Sequence, residues 1–206
     1  MGSNDTSGYY RKLIPQWERV YPSTAALRDA WDFYSECGWQ DPPKQLAAPL
    51  QQLQWNTGRI LDYGCDTGVM LQFFAQHFPQ ATLYGVDINR SALRQGRGLF
   101  PELNLVESDG LDIPFRDGYF DLIFLCAVLK HVRFEDRANL FAEFRRVARF
   151  LYVVEAHSES KRTEEKHGFS FYYSDFREEL GATLTELHFS RAGTDFLALY
   201  DLSGAG

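Results

Sequence analysis

The sequence is poor in the features that mark several other classes of protein. Its 206 residues include only 3 cysteines, Cys37, Cys65 and Cys126, and an odd, widely spaced set fits reduced thiols better than a disulfide framework or a zinc site. No run approaches the roughly 20 apolar residues that span a bilayer, and the N-terminus lacks the apolar segment of a signal peptide. We therefore expect a cytoplasmic protein that binds neither a metal nor a membrane.

The chain also lacks a surplus of basic residues, since 28 acidic and 21 basic side chains give a formal net charge of −7. A protein that binds DNA or RNA by neutralising many phosphates needs the opposite balance, so nucleic acid is not an expected partner. What the chain does have is apolar content, with 45% hydrophobic and 16% aromatic residues. This composition predicts a packed protein whose length suits a single domain over residues 1–206.

From about residue 59 onwards, short runs of β-branched and aromatic residues alternate with stretches of helical periodicity. The predicted strands cover residues 59–63, 81–87, 103–107, 120–125 and 150–155, and the helices between them cover residues 69–78, about 89–99 and 134–149. This alternation is typical of a doubly wound α/β fold, in which helices cover both faces of a parallel sheet. Two later strand-like runs, residues 182–190 and 195–202, predict an antiparallel hairpin at one edge of the sheet.

The first 55 residues differ in composition from the core predicted for residues 56–206. Residues 44–54 predict a helix, and aromatic side chains crowd the segment before it, among them Tyr9, Tyr10, Trp17, Trp31 and Tyr34. Two interpretations of these aromatic residues stay open. Either the N-terminal helices form a lid over a bound ligand, or the aromatic side chains pack those helices against the sheet.

The loop after the first predicted strand is the expected ligand site, because doubly wound sheets bind ligands beyond the carboxyl ends of their strands, where strand order reverses. After the strand Ile60-Leu61-Asp62-Tyr63, this loop reads Gly64-Cys65-Asp66-Thr67-Gly68. Its glycines permit close backbone approach to a ligand, and the helix that follows offers free N–H groups. A dinucleotide loop would need three glycines where this chain has Gly64, Asp66 and Val69, so an NAD-type site is not expected.

Four motifs, in sequence order, resemble those of class I S-adenosylmethionine-dependent methyltransferases. The family's first motif is an acidic residue followed by x-G-x-G-x-G, and Asp62, Gly64 and Gly68 match it, with Asp66 where the middle glycine is usual. The other three motifs are matched by Tyr84-Gly85-Val86-Asp87-Ile88, by Glu107-Ser108-Asp109-Gly110, and by Phe120-Asp121-Leu122-Ile123 with Val128-Leu129-Lys130-His131-Val132. The resemblance covers about residues 59–156. It implies a Rossmann-like seven-stranded sheet, S-adenosylmethionine as cofactor and S-adenosylhomocysteine as product.

The resemblance also implies roles for individual residues. Gly64 and Gly68 would line the methionine part of the cofactor, Asp87 would accept hydrogen bonds from the ribose hydroxyls, and Asp109 would accept one from the adenine amino group. Asp66 would either receive the cofactor's ammonium group or weaken binding of its carboxylate. The other expected cofactor contacts are Asp62, Cys65 and Cys126, and Ile88, Gly110 and Leu111 beside the adenine.

Simpler interpretations of the three motif aspartates stay open. Asp62 would then hold loop amides, Asp87 would cap the following helix, and Asp109 would belong to an ordinary turn.

Methyl transfer from a sulfonium needs in-line placement of the acceptor and exclusion of water, but no covalent intermediate. If the acceptor is a hydroxyl, a base with a pKa near neutrality helps. His131, after the fourth strand, and His157, after the fifth, are the candidates, although each is also compatible with an ordinary loop residue. Residues 158–166 predict a polar loop, and the aromatic residues 169–173 a wall of the acceptor pocket.

The favoured interpretation is a methyltransferase that acts on an oxygen or nitrogen of a small metabolite, because so short a chain leaves little room for a domain that docks RNA or protein. One alternative keeps the reaction and places the acceptor on a protein or an RNA. Another is a methyltransferase-like protein that works as a non-catalytic partner or regulatory subunit.

Overall fold

A seven-stranded mixed sheet organises the chain. The computed structural model describes residues 6–17, 31–32, 34–36, 38–53, 58–158, 162–164, 169–171, 176–191 and 193–204. The strands of this sheet are β1 (Arg59–Tyr63), β2 (Thr82–Asp87), β3 (Asn104–Glu107), β4 (Phe120–Cys126), β5 (Ala148–Ala156), β8 (Thr183–Phe189) and β9 (Asp195–Asp201). Their order is β3-β2-β1-β4-β5-β9-β8. This confirms the predicted Rossmann-like fold with its C-terminal hairpin.

The direction of the strands places the expected site. Strands β3, β2, β1, β4 and β5 are parallel, and β9 runs antiparallel to both β5 and β8. From β1 the chain first builds β2 and β3 on one side and then returns to add β4 on the other side. The strand order therefore reverses at β1 and β4, and their carboxyl ends form the crevice where this fold binds ligands.

Helices flank the sheet and connect its parallel strands. They are α1 (Thr6–Arg11), α2 (Ile14–Trp17), α3 (Pro42–Ala47), α4 (Val69–His77), α5 (Arg90–Leu99), α6 (Phe134–Val147) and α7 (Arg177–Leu180), with 3-10 turns at Pro49–Gln52 and Leu129–His131. The single helix predicted for residues 44–54 is wrong, because Pro49 has no N–H to continue an α-helix and its ring clashes with the preceding turn. No helix among the described residues is long and apolar enough to cross a membrane.

Both faces of the central strands are buried. Successive residues of β1 enter opposite cores, with Ile60 packed on the α4 side beside Phe74 and Leu61 packed on the α6 side beside Phe144. Strands buried on two faces are apolar throughout, and this explains the continuous runs seen in the sequence. A carboxylate or thiol at the end of such a strand is therefore an exception among apolar residues and a candidate functional group.

Part of the aromatic N-terminal segment belongs to the core on the α4 side. Tyr34, Trp39 and Leu46 are buried there, and the Tyr152 hydroxyl donates a 2.9 Å hydrogen bond to the Leu46 carbonyl. Trp31 packs edge-on against Phe73, with ring centroids 5.4 Å apart. In these contacts the aromatic side chains pack part of the N-terminal segment against the sheet, which is the second of the two interpretations of this segment.

Two predicted features fall partly outside the description of the structure. The side chain of Trp17 and the whole of Cys37 lie outside the described residues.

Within the segment predicted as a polar loop, β6 (Arg162–Glu164) instead pairs with β7 (Phe169–Phe171) as a small antiparallel sheet, and β7 lies against the 3-10 turn Leu129–His131. Strands of three residues are too short to produce a recognisable alternation in the sequence.

Candidate cofactor site

The loop between β1 and α4 folds over the end of β2. The backbone N–H groups of Gly64 and Cys65 both donate to the Val86 carbonyl, at 2.8 and 3.0 Å, and the Gly68 N–H donates to the Cys65 carbonyl at 2.7 Å. Gly68 has a φ of +84° and immediately precedes α4. The sequence-predicted loop is thus present, and it is fixed to the strand that ends in Asp87.

Glycine is required in this loop for backbone conformation and packing. Gly64 has a φ of +76°, and a Cβ added there would lie 2.5 Å from a methyl group of Val128. A Cβ at Gly68 would lie 2.9 Å from a methyl group of Leu103. In both cases the space beside the glycine is occupied by protein, so the structure supplies a reason for these glycines other than the predicted approach of a ligand.

Asp66 stands where the methyltransferase motif usually has its middle glycine, and it adopts a left-handed φ of +51°. Aspartate tolerates this conformation better than most residues with a side chain, so the loop keeps its shape. The Asp66 N–H donates a 2.8 Å hydrogen bond to Oδ2 of Asp87. The substitution thus leaves the loop fixed and adds a carboxylate to it.

Asp87 joins the loop to the start of α5. Its Oδ2 accepts from Asp66, and its Oδ1 accepts a 2.7 Å hydrogen bond from the Asn89 N–H. Burial raises the pKa of the Asp87 carboxyl, and its hydrogen bonds from Asn89 and Asp66 act in the opposite direction. Each carboxylate oxygen has a second lone pair, so these contacts leave room for the predicted ribose hydroxyls. Asn89, and not Asp87, caps α5 through its side chain.

Asp62 is a buried acid near the end of β1. Asp62 is 3% exposed, and its side chain accepts no hydrogen bond from the part of the chain that the structure describes. Burial raises the pKa of its carboxyl well above the usual range, and the negative charges of Asp87 and Asp66 raise it further. It therefore does not hold loop amides, which was the simpler interpretation of this residue. A buried acid near two others favours a cationic neighbour.

Cys126 ends β4 on the same face of the sheet as Asp62. Its thiol contacts the hydroxyl of Tyr34, a buried residue of the N-terminal segment. Burial is the main cause that raises the pKa of Cys126 to about 12, so the thiol is neutral and not a nucleophile. Cys65 is buried as well, in a position where a Cβ at Gly85 would lie 2.6 Å from its sulfur. Cys65 therefore packs against β2.

The end of the candidate site that is expected to bind the adenine lies beyond the carboxyl ends of β2 and β3. The Ser108 N–H donates to the Asp87 carbonyl at 3.0 Å, so the segment after β3 begins beside Asp87. Asp109 is exposed, and its Oδ1 accepts hydrogen bonds from the N–H groups of Leu111 and Asp112 at 3.1 and 2.9 Å. Oδ1 thus closes a turn, as the simpler interpretation has it.

Helix α1 covers the residues expected to flank the adenine. Tyr10 and Leu13 form a small buried cluster with Ile88, and Leu111 packs against it. The Tyr10 hydroxyl donates a 2.5 Å hydrogen bond to Asp136 at the start of α6. The same hydroxyl accepts a 3.2 Å hydrogen bond from the backbone N–H of residue 133. Sequence reasoning named Tyr10 among several aromatic residues but had no signal for its partner.

The two candidate bases occupy different surroundings. His131 belongs to the 3-10 turn against which β7 lies, and burial together with the charge of Lys130 lowers its pKa to about 3. A histidine with this pKa is a weak base at neutral pH. The His157 N–H donates to the Thr194 carbonyl at 2.7 Å, and its ring packs edge-on against Phe189, with centroids 5.1 Å apart. His157 therefore belongs to the side of β5 that faces the C-terminal hairpin.

Glu155 is a buried residue that the sequence analysis missed. It is the next-to-last residue of β5, and its Oε1 accepts hydrogen bonds from the backbone N–H groups of Val128 and Leu129. Glu155 thus fixes the backbone at the start of the turn that carries His131, including Val128, whose side chain lies beside Gly64. A glutamate at the end of an otherwise apolar buried strand was the available signal. No group of three potential metal ligands occurs within the described ranges.

Comparison with known proteins identifies the domain that this geometry suggests. Residues 60–150 match the model of a family described as a methyltransferase domain. The matched residues make up less than half of the chain, and this part is similar to a methyltransferase domain. The matched residues contain the β1 loop, Asp87, Asp109 and the turn with His131, so the similarity includes most of the candidate site.

Curated relatives of the methyltransferase domain differ in their acceptors. The chain is 37% identical over 92 residues to a malonyl-[acyl-carrier protein] O-methyltransferase of Geobacter sulfurreducens, covering 43% of this chain and 34% of that protein. It is 34% identical over 97 residues to a ubiquinone/menaquinone biosynthesis C-methyltransferase of Burkholderia mallei, covering 45% of this chain and 39% of that protein. The matched region thus spans little more than a third of either relative.

Solved structures share the fold at low sequence identity. A protein of Pyrococcus horikoshii OT3 aligns with a TM-score of 0.66 and 16% identity, over 90% of this chain and 98% of that one. A putative sarcosine dimethylglycine methyltransferase of Galdieria sulphuraria aligns with a TM-score of 0.65 and 14% identity, over 79% of this chain and 85% of that one. These alignments support the methyltransferase fold and extend it beyond residues 60–150.

Proposed function

We propose that this protein transfers a methyl group from S-adenosylmethionine to an oxygen or nitrogen of a small metabolite. The observation that carries the proposal is the buried Asp62 near Asp66 and Asp87, at the topological switch point of a methyltransferase domain. An acidic pocket suits a cofactor that carries an ammonium and a sulfonium group, because a bound positive charge favours the ionised form of the carboxyl groups. The residues present therefore fit S-adenosylmethionine.

The residues that would hold the cofactor follow from the fold and the family. Asp87 would bind the ribose hydroxyls, and Asp109 the adenine amino group, with Ile88, Gly110 and Leu111 beside the ring. Gly64, Cys65, Gly68 and Cys126 would surround the methionine part, with Asp62 and Asp66 near its positive groups. When bound, S-adenosylmethionine supplies an electrophilic methyl group on its sulfonium, so the protein needs to position the acceptor and exclude water.

The surroundings of the histidines bear on the class of acceptor. His131, with a pKa of about 3, would hold or orient an acceptor better than it would remove a proton from it. His157 remains the second candidate for the base. Weak assistance by a base suits an acceptor that is already nucleophilic, such as a carboxylate oxygen or a neutral amine. The relatives named for O- and C-methylation make a carbon acceptor the main competing outcome of product analysis.

Two further elements of the proposal concern the chain as a whole. We propose that residues 1–206 act as one methyltransferase domain, in which α1 forms a lid over the adenine end while the segment near Trp39 and Leu46 packs in the core. The excess of acidic over basic residues favours a small acceptor over RNA. A protein acceptor and a non-catalytic regulatory role are the alternatives that the experiment below must separate.

The test is calorimetric titration with S-adenosylmethionine, comparing the unmodified chain with Asp87→Ala. We expect the variant to bind at least about 100-fold more weakly, because hydrogen bonds to a charged group contribute about 1.5–3 kcal/mol each and at least two would be lost. Asp201→Ala is the matched control, since this aspartate accepts a backbone hydrogen bond from Ser203 and lies beside the start of β5, at the ends of the strands opposite to the candidate site. Thermal melting would verify that both variants fold.

Each outcome of the titration has a definite meaning. If the unmodified chain does not bind S-adenosylmethionine, the protein is a methyltransferase-like scaffold and the proposal is wrong. If binding persists undiminished in Asp87→Ala, the assignment of Asp87 to the ribose fails. Mass spectrometry of small-molecule mixtures incubated with the labelled cofactor would then identify an acceptor that gains one methyl group.

A further inference from the structure

Tyr63 is the last residue of β1, and its side chain reaches the loop that follows β3. Its hydroxyl donates a 2.6 Å hydrogen bond to the carbonyl of Gly110, which is 47 residues away in the sequence. The residue is buried, and its ring packs edge-on against Phe144 of α6, with ring centroids 5.2 Å apart. Burial also raises the pKa of the Tyr63 hydroxyl, so this group stays protonated and remains a donor at neutral pH.

Both polar groups of the Gly110 backbone are bound by side chains. Its carbonyl accepts from Tyr63, and its N–H donates a 3.3 Å hydrogen bond to Oγ of Ser108. Its φ of +102° is adopted readily by glycine and rarely by other residues, and a Cβ there would lie 3.1 Å from a methyl group of Ile88. The hydrogen bonds and the close packing fix the conformation and the position of Gly110.

The two ends of the same loop are attached to other elements. Its start is hydrogen-bonded to the end of β2. At its other end, the Ile113 N–H donates to Oε2 of Glu143 at 3.0 Å, and Nη2 of Arg146 donates to the Ile113 carbonyl at 2.9 Å, both from α6. Between these two attachments, the hydrogen bond from Tyr63 holds the residue that directly follows Asp109.

The position of Asp109 matters because the proposed function assigns the adenine amino group to its carboxylate. A carboxylate recognises an amino group through a hydrogen bond whose strength depends steeply on distance and angle. Asp109 is exposed, and its Oδ1 accepts from the N–H groups of Leu111 and Asp112, so the carboxylate moves with the loop backbone. A side chain that fixes Gly110 therefore fixes Asp109 as well.

We propose that Tyr63 is a positioning residue for recognition of the adenine: it holds the loop so that Asp109 distinguishes an amino group from a carbonyl group on the purine ring. The proposal rests on the proposed function, since it requires a cofactor whose adenine lies beside Asp109. The end of β1 would then build both ends of the candidate site, the methionine end through Gly64 and the adenine end through Tyr63.

The test compares Tyr63→Phe with the unmodified chain. Calorimetry measures the dissociation constants of S-adenosylhomocysteine and of S-inosylhomocysteine, in which a carbonyl group replaces the amino group of the purine. The unmodified chain should prefer the adenine compound by at least about tenfold, because the other compound cannot donate this hydrogen bond to the carboxylate. Tyr63→Phe should lower that preference by about three- to tenfold. A hydroxyl that only stabilised the fold would leave the ratio of the two dissociation constants unchanged.

Tyr152→Phe is the matched control. Tyr152 is also a buried tyrosine whose hydroxyl donates to a backbone carbonyl, that of Leu46, but it belongs to the core on the α4 side. Its variant should keep the ratio of the two dissociation constants. Melting curves would verify that both variants fold.

A double-mutant cycle tests whether Tyr63 acts through Asp109. Asparagine offers both a donor and an acceptor, so Asp109→Asn should itself remove most of the preference for adenine. Tyr63→Phe should then change the ratio little in the Asp109→Asn background. Ser108→Ala loosens Gly110 from its other side without changing β1, so it should lower the ratio in the same direction. This variant decides the question if Tyr63→Phe does not fold.

The outcomes separate this inference from the function on which it rests. If the unmodified chain binds neither S-adenosylmethionine nor S-adenosylhomocysteine, both are overturned. If it binds them, the proposed function stands, and the role of Tyr63 is refuted by an equal affinity for the two purines or by an unchanged ratio in Tyr63→Phe. An equal fall of the ratio in Tyr152→Phe would also refute it. A lower ratio in Tyr63→Phe alone of these two variants supports the inference.

Discussion

The two ends of the candidate cofactor site are built in different ways. At the methionine end, Asp62, Asp66 and Asp87 gather within a tightly hydrogen-bonded loop. At the adenine end, the apolar side chains of Ile88 and Leu111 are covered by α1. The first end would recognise a ligand by charge and the second by burial of an apolar surface. The cofactor loses its sulfonium charge when the methyl group is transferred, whereas the apolar surface of its adenine stays the same.

The two ends also differ in the distance along the chain between their parts. The methionine end is assembled mainly from residues 62–68 and Asp87, adjacent elements of one β-α-β unit. The adenine end depends on Tyr10 reaching Asp136, which is 126 residues away in the sequence. We therefore expect variants at the first end to affect folding of the domain, and variants at the second end to affect mainly ligand exchange.

Gly64→Ala is expected to have the largest effect on stability, because it would distort the loop that forms the methionine end. Alanine in a left-handed conformation costs about 1–2 kcal/mol, and forcing its Cβ to within 2.5 Å of Val128 adds an overpacking cost of about 1–3 kcal/mol. Chemical denaturation should therefore show a loss of about 2–5 kcal/mol in the free energy of unfolding.

A double-mutant cycle tests the cause of that loss. Val128→Ala removes the two methyl groups that the added Cβ would meet, so Gly64→Ala should cost less in the Val128→Ala background than alone. The remaining cost would report the left-handed backbone. Strictly additive losses would contradict the contact between Gly64 and Val128.

Tyr10→Phe is expected to have an intermediate effect, confined to the adenine end. The variant keeps the ring packed on Ile88 but loses the hydroxyl that donates to Asp136, while Asp136 keeps its 2.7 Å hydrogen bond from Arg133. A net loss of about 1–2 kcal/mol would loosen α1. Hydrogen exchange should become faster over residues 8–13, and stopped-flow measurements should show cofactor dissociation accelerated by roughly five- to thirty-fold.

Tyr84→Phe is the control for this prediction. Its hydroxyl pairs with that of Tyr119 at 2.9 Å, and Tyr119 lies under Arg59, which begins β1 at the end opposite to the candidate site. Tyr84→Phe should leave cofactor dissociation unchanged. Equal acceleration in both variants would mean that α1 does not control access to the site.

Ala127→Gly is expected to have the smallest effect, with the opposite sign. Ala127 follows β4 with a φ of +57°, which glycine adopts without strain. The relief is largely offset by the greater freedom of glycine in the unfolded chain, so we expect a gain of at most about 1 kcal/mol in the free energy of unfolding. Ala138→Gly, at an exposed position within α6, should instead lose about 1 kcal/mol. A loss of similar size in both variants would show that the φ of Ala127 carries no strain.

Much of the fold could be predicted from local patterns. Strand β1 was predicted with its observed bounds, Arg59–Tyr63, because a buried parallel strand is a short apolar run between clear turn residues. The helix predicted for residues 134–149 ends two residues earlier, at Val147, where β5 begins at once. The prediction failed where a proline divided residues 44–54 and where the short strands β6 and β7 left no periodic signal.

The candidate site could be predicted only in part. Asp87 follows from its place at the end of β2 and Asp62 from its place near the end of β1, since both positions are set by the motif and the sheet. Tyr34 and Glu155 could not be assigned in the same way, because their importance comes from contacts with Cys126 and Val128, far away in the sequence. His131 shows the same limit: its sequence position suggested a base, whereas its buried surroundings lower its pKa.

The sequence by itself determined the alternation of strands and helices, the loop with its left-handed positions, and the acidic residues at the ends of β1 and β2. These features depend on residue type and short spacing, which act locally along the chain. Only the tertiary structure decided that α1 lies on Ile88, that β7 lies against the turn of His131, and that Asp62 accepts no hydrogen bond from a described residue. Burial and charge interactions depend on which distant segments meet, and no local pattern in the sequence encodes that meeting.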